Sequence, residues 1–262
     1  MSVEELPQPI KTGSFIDEFD GLYPGELHLF YGPPASGKTL GCLTITAFYL
    51  DLNPDKYAIY LDTESLDPKC RLLKRTVEKL EKIHGLGDVL PRIHFQGFTS
   101  FGDLHAFMSG KKDAKPNIKE LAKKYDVGVL VIDSLTRFYA KEMNNAPPSM
   151  RPSIAGRFGA KLMVWLDTLG ELMEKPDIEP FPILGTAWMK SSRIAEALRK
   201  TKPSEIDSHL EDEREFLGGK VLAHSSKIIY RVVKLGSMIT FTQIRGPYMG
   251  KMVKLPLPPK SY

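Results

Sequence analysis

Short apolar runs alternate along the chain with segments in which apolar residues recur every three or four positions. The runs are closed by glycine, proline or acidic residues, a pattern typical of buried strands. Such strands are predicted at 26–31, 57–62, 92–95, 127–133 and 181–189. Helical spacing predicts one helix that carries Leu73, Val77, Leu80 and His84, and a long amphipathic helix over 157–174 with a stripe of Leu162, Trp165, Leu166 and Leu169.

The order of these elements predicts an α/β fold. Apolar strands that alternate with helices form a mostly parallel sheet sandwiched by helices. The last two runs, 219–235 and 238–244, are expected to form a C-terminal antiparallel hairpin that turns at 235–237. Two stretches rich in proline or charge, 139–156 and 190–219, are predicted to be long loops. We divide the chain into a lead-in at 1–12, a core at 13–247 and a tail at 248–262.

Composition and charge narrow the classes of protein to which this chain can belong. The 262 residues, 42% of them hydrophobic, are enough for one α/β domain. No apolar run reaches the roughly 18 residues of a transmembrane helix, and the acidic start does not resemble a secretory signal, so we expect a cytoplasmic protein without a membrane partner. Cys42 and Cys70 fit a reducing compartment and are too few for a zinc site. The net charge of +4 permits nucleic-acid binding without requiring it.

A phosphate-binding pattern lies between the first predicted strand and the next apolar run. Residues 32–39 read Gly-Pro-Pro-Ala-Ser-Gly-Lys-Thr, which matches Gly-x-x-x-x-Gly-Lys-Thr in full. The two glycines allow a tight turn around an anion, and the following helix directs its positive end at the phosphates. Lys38 is expected to reach the β- and γ-phosphate oxygens, and Thr39 to bind Mg²⁺. The predicted nucleotide-binding residues are Gly32, Pro33, Pro34, Ala35, Ser36, Gly37, Lys38, Thr39 and Leu40.

Acidic residues follow two other predicted strands. Asp133 ends the run 127–133, beside the expected position of the phosphate loop, and is predicted to hold Mg²⁺ with Thr39. A structural cap is the alternative role for Asp133. Glu64 follows the strand 57–62 and is predicted to activate the attacking water, so that Glu64 and Lys38 are the catalytic residues. Asp62 is the rival base, and a helix-capping cluster is the alternative interpretation of this segment.

The motifs together resemble those of the RecA/RadA recombinase family of ATPases, and most of all its core-only RadB-like archaeal paralogues. The likeness runs from about Phe15 to about Pro247 and includes "YLDTESLDPKCRLL", "VLVIDSLTRFY" and "GGKVLAHSSKIIYRV". It implies a RecA-like P-loop core, ATP and Mg²⁺ as cofactors, and DNA, single-stranded more than double-stranded, as a partner. It also implies a homo-oligomer or a recombinase partner. Glu64 matches the family's catalytic glutamate, and Arg71 an arginine that contacts adenine.

The resemblance further assigns the segments 139–156 and 190–217 to the family's two DNA-binding loops. Basic residues populate both, and the DNA-binding candidates are Arg137, Lys141, Arg151, Arg157, Lys190, Arg193, Arg199 and Lys200. Residues 203–216 are acidic, and we interpret them as a solvated linker. His224 matches a histidine that lies near ATP at a subunit interface. Arg245 is a candidate for the cation that a neighbouring subunit supplies, and an exposed strand arginine is the alternative.

Two departures from the family pattern bear on activity. Ala187 and Trp188 stand where the family commonly has an Asn-Gln pair, so the resemblance predicts the loss of a polar group and weak or rewired coupling between the γ-phosphate and the DNA loops. Ser65 replaces a glycine that follows the catalytic glutamate, and we expect slow hydrolysis. The sequence therefore predicts a slow, DNA-modulated Mg-ATPase of recombination and repair that acts as a paralogue or accessory factor. The alternatives are a KaiC-like regulatory ATPase, whose loops bind a protein partner instead of DNA, and a ring helicase motor.

Overall fold

The computed structural model describes residues 6–65, 67–111, 116–189 and 218–257. The strands are β1 Leu27–Gly32, β2 Tyr57–Asp62, β3 Ile93–Gly97, β4 Val127–Asp133, β5 Ile183–Trp188, β6 Ile228–Leu235, β7 Met238–Arg245 and β8 Met252–Pro256. The α-helices are α1 Lys38–Leu52, α2 Arg71–His84, α3 Phe101–Met108, α4 Ile118–Lys124, α5 Arg137–Asn145, α6 Arg151–Met173 and α7 Gly219–Ser225. Short 3-10 helices lie at Phe15–Phe19, Leu90–Arg92 and Pro148–Met150.

The strands form one sheet in the order β3-β2-β4-β5-β1-β6-β7-β8. Pairing is parallel from β3 to β6, and β7 and β8 add antiparallel strands at the C-terminal side. The predicted α/β class, with a mostly parallel sheet and a C-terminal antiparallel hairpin, is confirmed. Strand β8 lies in the segment that we assigned to the tail, so residues 252–256 extend the sheet.

Both faces of the sheet are covered at its central strands, which explains why β1, β2, β4 and β5 are mostly apolar. In β1 every residue is buried, and successive side chains point to opposite faces. Leu27, Leu29 and Tyr31 therefore join the core on one face, which includes Trp165 of α6. Phe30 joins the core on the other face, beneath α1 and α2. Burial on both faces is the condition under which parallel sheets occur.

The predicted loop at 139–156 is wrong. Residues 137–145 form α5, and α6 begins at Arg151, six residues earlier than the predicted start at 157. Proline is tolerated in the first turn of a helix, where its missing N–H has no intrahelical partner, so Pro152 marks a helix start and not a loop. Most of the segment is therefore helical, with a break at 146–147 before the short 3-10 helix.

The predicted strand at 219–235 is wrong in its first half. Residues 219–225 form α7, and β6 begins at Ile228. Leu222 of α7 is fully buried in the core that also contains α6. A Cβ on Gly159 of α6 would lie only 3.1 Å from Val221, so a glycine at this position lets the two helices approach closely. The predicted turn of the hairpin is confirmed, because residues 236–237 connect β6 to β7.

The parallel register gathers several candidate residues at the carboxyl ends of the strands. Gly32 at the end of β1 lies opposite Trp188 at the end of β5. Asp62 at the end of β2 lies opposite Asp133 at the end of β4. Loops that leave this edge form the usual ligand crevice of open α/β sheets. Within the described part of the chain, no helix is both long and apolar enough to cross a membrane.

The titration of His28 tests whether its side chain in β1 is buried. Its side chain is fully buried, and Nε2 accepts a hydrogen bond from the backbone N–H of Tyr23 at 2.9 Å. Burial lowers the pKa of His28 from 6.5 to about 3. Below pH 6.5 the unfolded chain binds a proton that the folded chain does not bind. The free energy of unfolding should therefore fall by about 1.4 kcal/mol per pH unit through this group as the pH drops.

We predict that His28→Gln flattens the acid limb of the stability profile, because glutamine keeps an acceptor for Tyr23 but does not titrate. Urea unfolding between about pH 7 and about pH 4 measures the difference. His84→Gln, at an exposed position on α2, is the matched control. An acid limb of His28→Gln as steep as that of the wild type would contradict the burial of this side chain.

Candidate nucleotide-binding site

The predicted phosphate loop connects β1 directly to α1. Gly37 precedes the helix with φ at 98°, in the left-handed region that favours glycine. A Cβ there would lie 2.3 Å from Ile239 of β7. A Cβ on Gly32 would lie 2.1 Å from the carbonyl oxygen of Val232 in β6. Gly32 is therefore required by its close approach to the backbone of β6, and Gly37 by the left-handed conformation before α1.

Lys38 folds back over this loop. Its Nζ donates to the carbonyl oxygens of Gly32 at 3.0 Å and of Pro33 at 2.9 Å. The side chain is buried, and that burial lowers the pKa of Lys38, while the nearby carboxyls of Asp133 and Glu64 raise it. A buried ammonium beside the N-terminus of a 15-residue helix fits an anionic ligand.

Asp133 lies at the centre of a cluster of hydroxyl groups. Its Oδ2 accepts from Thr39 Oγ1 at 2.7 Å and from the Tyr60 hydroxyl at 2.9 Å. Its Oδ1 accepts from Thr186 Oγ1 at 2.5 Å. Thr39 and Asp133 thus present hard oxygen ligands side by side, as Mg²⁺ prefers. In the described ranges no group of three or more His, Cys, Asp or Glu residues could hold a metal, which is compatible with Mg²⁺ because it usually keeps several waters.

The two rival carboxyls after β2 have different environments. Asp62 is buried, and its Oδ1 accepts the backbone N–H groups of Glu64 at 2.8 Å and Ser65 at 3.0 Å. Asp62 Oδ2 accepts from the Ser65 hydroxyl. Asp62 is therefore engaged in fixing the loop that carries Glu64. Burial raises the pKa of Glu64 above its usual 4.5, and the charge of Asp133 adds to this rise.

Trp188 donates its indole N–H to Glu64 Oε1 at 2.6 Å. The resemblance predicts the loss of a polar group at Trp188, but its indole N–H supplies one. The register of β1 with β5, which puts Trp188 at the site edge, was not available from the sequence. Tyr60 and Thr186 were also missed, although hydroxyl groups inside apolar strands are a signal for buried hydrogen bonds.

The remaining candidates do not all lie at this edge, because Arg245 pairs in register with Ile229 near the start of β6, at the amino ends of the parallel strands. Arg71 begins α2, is exposed, and its Nε pairs with Asp67 at 2.8 Å. His224 is exposed on α7. Arg245 donates to the carbonyl oxygens of Ala223 and Ser226, the latter at 3.2 Å, so the two inter-subunit candidates lie at the same end of α7.

The DNA-binding candidates divide into three groups. Arg137 donates to the carbonyl oxygen of Thr63 and therefore contacts the loop that carries Glu64. Lys141 and Arg157 line an open groove between α5, α6 and the start of α3, and Arg151 is exposed at the start of α6. The segment that contains Lys190, Arg193, Arg199 and Lys200 lies outside the described residues.

The groove combines aromatic and basic side chains. Phe101 and Phe138 line it, and Lys161 Nζ lies 4.5 Å from the centre of the Phe101 ring. Arg157 forms an exposed ion pair with Glu142 at 3.6 Å. Tyr139 is buried against Phe158 with ring centres 4.5 Å apart and belongs to the core. Phe101 and Phe138 line the groove and are partly buried against the same core.

Comparison with known proteins agrees with the motifs. No family model matches the chain. The DNA repair and recombination protein RadB of Methanosphaera stadtmanae is 30% identical over 159 residues, which are 59% of this chain. This similarity supports a RadB-like relationship to the RecA/RadA family. The match spans 60% of the length of the RadB relative. The fold agrees with this kinship, since a mostly parallel sheet with C-terminal antiparallel strands is consistent with a RecA-like core.

We predict that Tyr60→Phe destabilises the fold by about 1.5–3 kcal/mol, the usual contribution of a buried hydrogen bond to a charged group, because Asp133 loses one donor. Urea unfolding measures the change in free energy. Tyr57→Phe removes a hydroxyl from the other end of β2 and should change stability by less than about 0.5 kcal/mol. Equal effects of the two substitutions would show that the Tyr60 hydroxyl makes no special contribution to Asp133.

Proposed function

We propose that this chain is a magnesium-dependent ATPase that acts with DNA in recombination or repair, in the cytoplasm, as a paralogue or accessory factor of the main recombinase. One observation carries the proposal: a complete phosphate loop, a Thr39–Asp133 oxygen pair and Glu64 converge at one edge of the sheet. The kinship with a protein named for DNA repair and recombination supports the same role.

The nucleotide is proposed to bind along residues 32–40. Loop amides and the N-terminus of α1 would receive the phosphates, and Lys38 would exchange its carbonyl partners for β- and γ-phosphate oxygens. Thr39 and Asp133 would hold Mg²⁺, which supplies positive charge to the phosphate oxygens when bound. Arg71 is exposed enough to contact the base after releasing Asp67.

Glu64 is the proposed general base. A carboxylate with a raised pKa is a stronger base toward water than an ordinary glutamate, and burial raises the pKa of Glu64. Asp62 is the weaker candidate, because its oxygens accept two backbone N–H groups and the Ser65 hydroxyl. We propose that Asp62 anchors the loop and that Glu64 orients and deprotonates the attacking water.

Single-stranded DNA is the proposed ligand of the groove between α5 and α6. Aromatic rings beside cations suit such strands, since bases stack on the rings and cations neutralise the phosphates. Phe101 and Phe138 supply the rings, and Lys141, Arg157 and Lys161 supply the charge. His224 and Arg245 remain the proposed contacts to a second subunit or to a recombinase partner.

We predict that Glu64→Gln keeps ATP affinity and lowers kcat by at least about 100-fold, the usual loss when a general base is removed. Asp62→Asn should retain turnover within about tenfold, because asparagine Oδ1 can still accept the two backbone N–H groups. Phosphate release and nucleotide titration measure the two effects. Normal turnover by Glu64→Gln together with inactive Asp62→Asn would transfer the base function to Asp62.

We predict that the double variant Lys141→Glu/Arg157→Glu weakens binding to an oligothymidylate. The slope of log affinity against log salt should become shallower by about 1.4, for two lost contacts at roughly 0.7 each on a single strand. Fluorescence anisotropy over a salt series measures both quantities. Lys119→Glu/Lys123→Glu makes the same charge change on α4, outside the groove, and is the control.

Binding of the wild-type chain to DNA is the more demanding test of the DNA role. No binding to DNA at low salt would contradict the DNA role. Together with normal ATP turnover, it would favour the regulatory ATPase whose loops bind a protein partner. Equal losses in the groove variant and in the α4 variant would contradict the groove alone.

A further inference from the structure

The backbone of Trp188 is fixed by contacts at the end of β5, beside the candidate nucleotide-binding site. It ends β5 and pairs in register with Gly32, the first residue of the phosphate loop. Its backbone N–H donates to Thr136 Oγ1 at 2.9 Å, and Thr136 is fully buried. The indole therefore projects from a backbone that pairs with β1 on one side and bonds to the Thr136 side chain, in the turn after β4, on the other. Such an anchored ring can orient another side chain because little of its own position is free.

The backbone before Glu64 is also held by hydrogen bonds, and the Glu64 carboxyl is hydrogen-bonded to the Ser134 side chain as well as to Trp188. Thr63 N–H donates to the Asp133 carbonyl at 2.7 Å, and Thr63 Oγ1 donates to the Ser134 carbonyl at 2.8 Å. Arg137 donates to the Thr63 carbonyl. The carboxyl at the end of the Glu64 side chain then receives the indole N–H of Trp188 at 2.6 Å.

We propose that Trp188 is a positioning residue for ATP hydrolysis, whose indole N–H orients the Glu64 carboxyl toward the attacking water. The inference rests on the proposed function of Glu64. An indole N–H is a donor and not an acceptor, so it fixes one oxygen without competing for the proton of the water. The charged groups that act on Glu64 are Lys38 from the phosphate loop, Asp133 from β4 and Arg137 from α5.

The orientation of the general base affects the rate of the chemical step more than it affects the affinity for substrate. Nucleotide affinity comes from the phosphate loop and the Mg²⁺ ligands, which Trp188 Nε1 does not contact in the described residues. Removal of the donor should therefore lower kcat and leave KM nearly unchanged. A purely structural tryptophan would change the melting temperature and would not separate these two constants.

Trp188→Phe is the test, because phenylalanine keeps a ring and removes the donor. We expect kcat to fall about tenfold or more, the loss of one hydrogen bond to a charged group, with KM and the ADP dissociation constant within about twofold. Trp165→Phe is the matched control, since that indole donates to His105 at 2.9 Å, away from the site. A wild-type kcat in Trp188→Phe would overturn the proposal.

Fluorescence tests the contact without any turnover. The chain has two tryptophans, so Trp165→Phe leaves Trp188 as the single indole reporter. Adding Glu64→Gln to this variant removes a charge from the indole N–H and should shift the emission maximum. An unchanged spectrum would overturn the contact, including the case in which Trp188→Phe does not fold. The expected emission shift, together with a wild-type chain that does not hydrolyse ATP, would contradict the proposed function instead.

Discussion

The carboxyl group of Asp133 is the interaction on which the rest of the site depends. Three hydroxyl groups donate to it, from Thr39 of α1, Tyr60 of β2 and Thr186 of β5. One buried acid therefore connects the helix after the phosphate loop to the two strands beside β4. Buried polar groups of this kind are costly unless each one is satisfied, so the cluster fixes the relative positions of these elements. Mg²⁺ would join an arrangement that is already formed.

The C-terminal hairpin of β6 and β7 packs against the phosphate loop and restricts the residues that fit at its two glycines. Side chains on Gly32 or Gly37 would collide with Val232 or Ile239 of the hairpin. The hairpin follows the undescribed segment 190–217 in the chain, so residues remote in sequence shape the loop. On the other side of the site, α5 joins it to the groove, because Arg137 contacts the Thr63 carbonyl while Lys141 lines the groove. Helix α5 thus contacts both the loop that carries Glu64 and the groove.

Local patterns predicted much of this arrangement. The apolar runs located the parallel strands, and the phosphate-loop motif lies between β1 and α1, as expected. The motif that ends in Asp133 also pointed to its partner Thr39. The wrong predictions arose where the surrounding structure, and not the local sequence pattern, decides which element forms. Prolines at 147–152 looked like a loop, although Pro152 begins a helix, and residues 219–225 looked like a strand until their packing on α6 was visible. Trp188 could not be related to Glu64 because that contact joins residues 124 positions apart.

The central claim is that this edge of the sheet binds a nucleotide through its phosphates and Mg²⁺. Calorimetric titration of the wild-type chain with ATP, in the presence of Mg²⁺ and again with a chelator, tests it most directly. The account predicts saturable binding with one nucleotide per chain and a clear loss of affinity when Mg²⁺ is removed. Absence of saturable binding, or binding of ATP that does not depend on Mg²⁺, would contradict it.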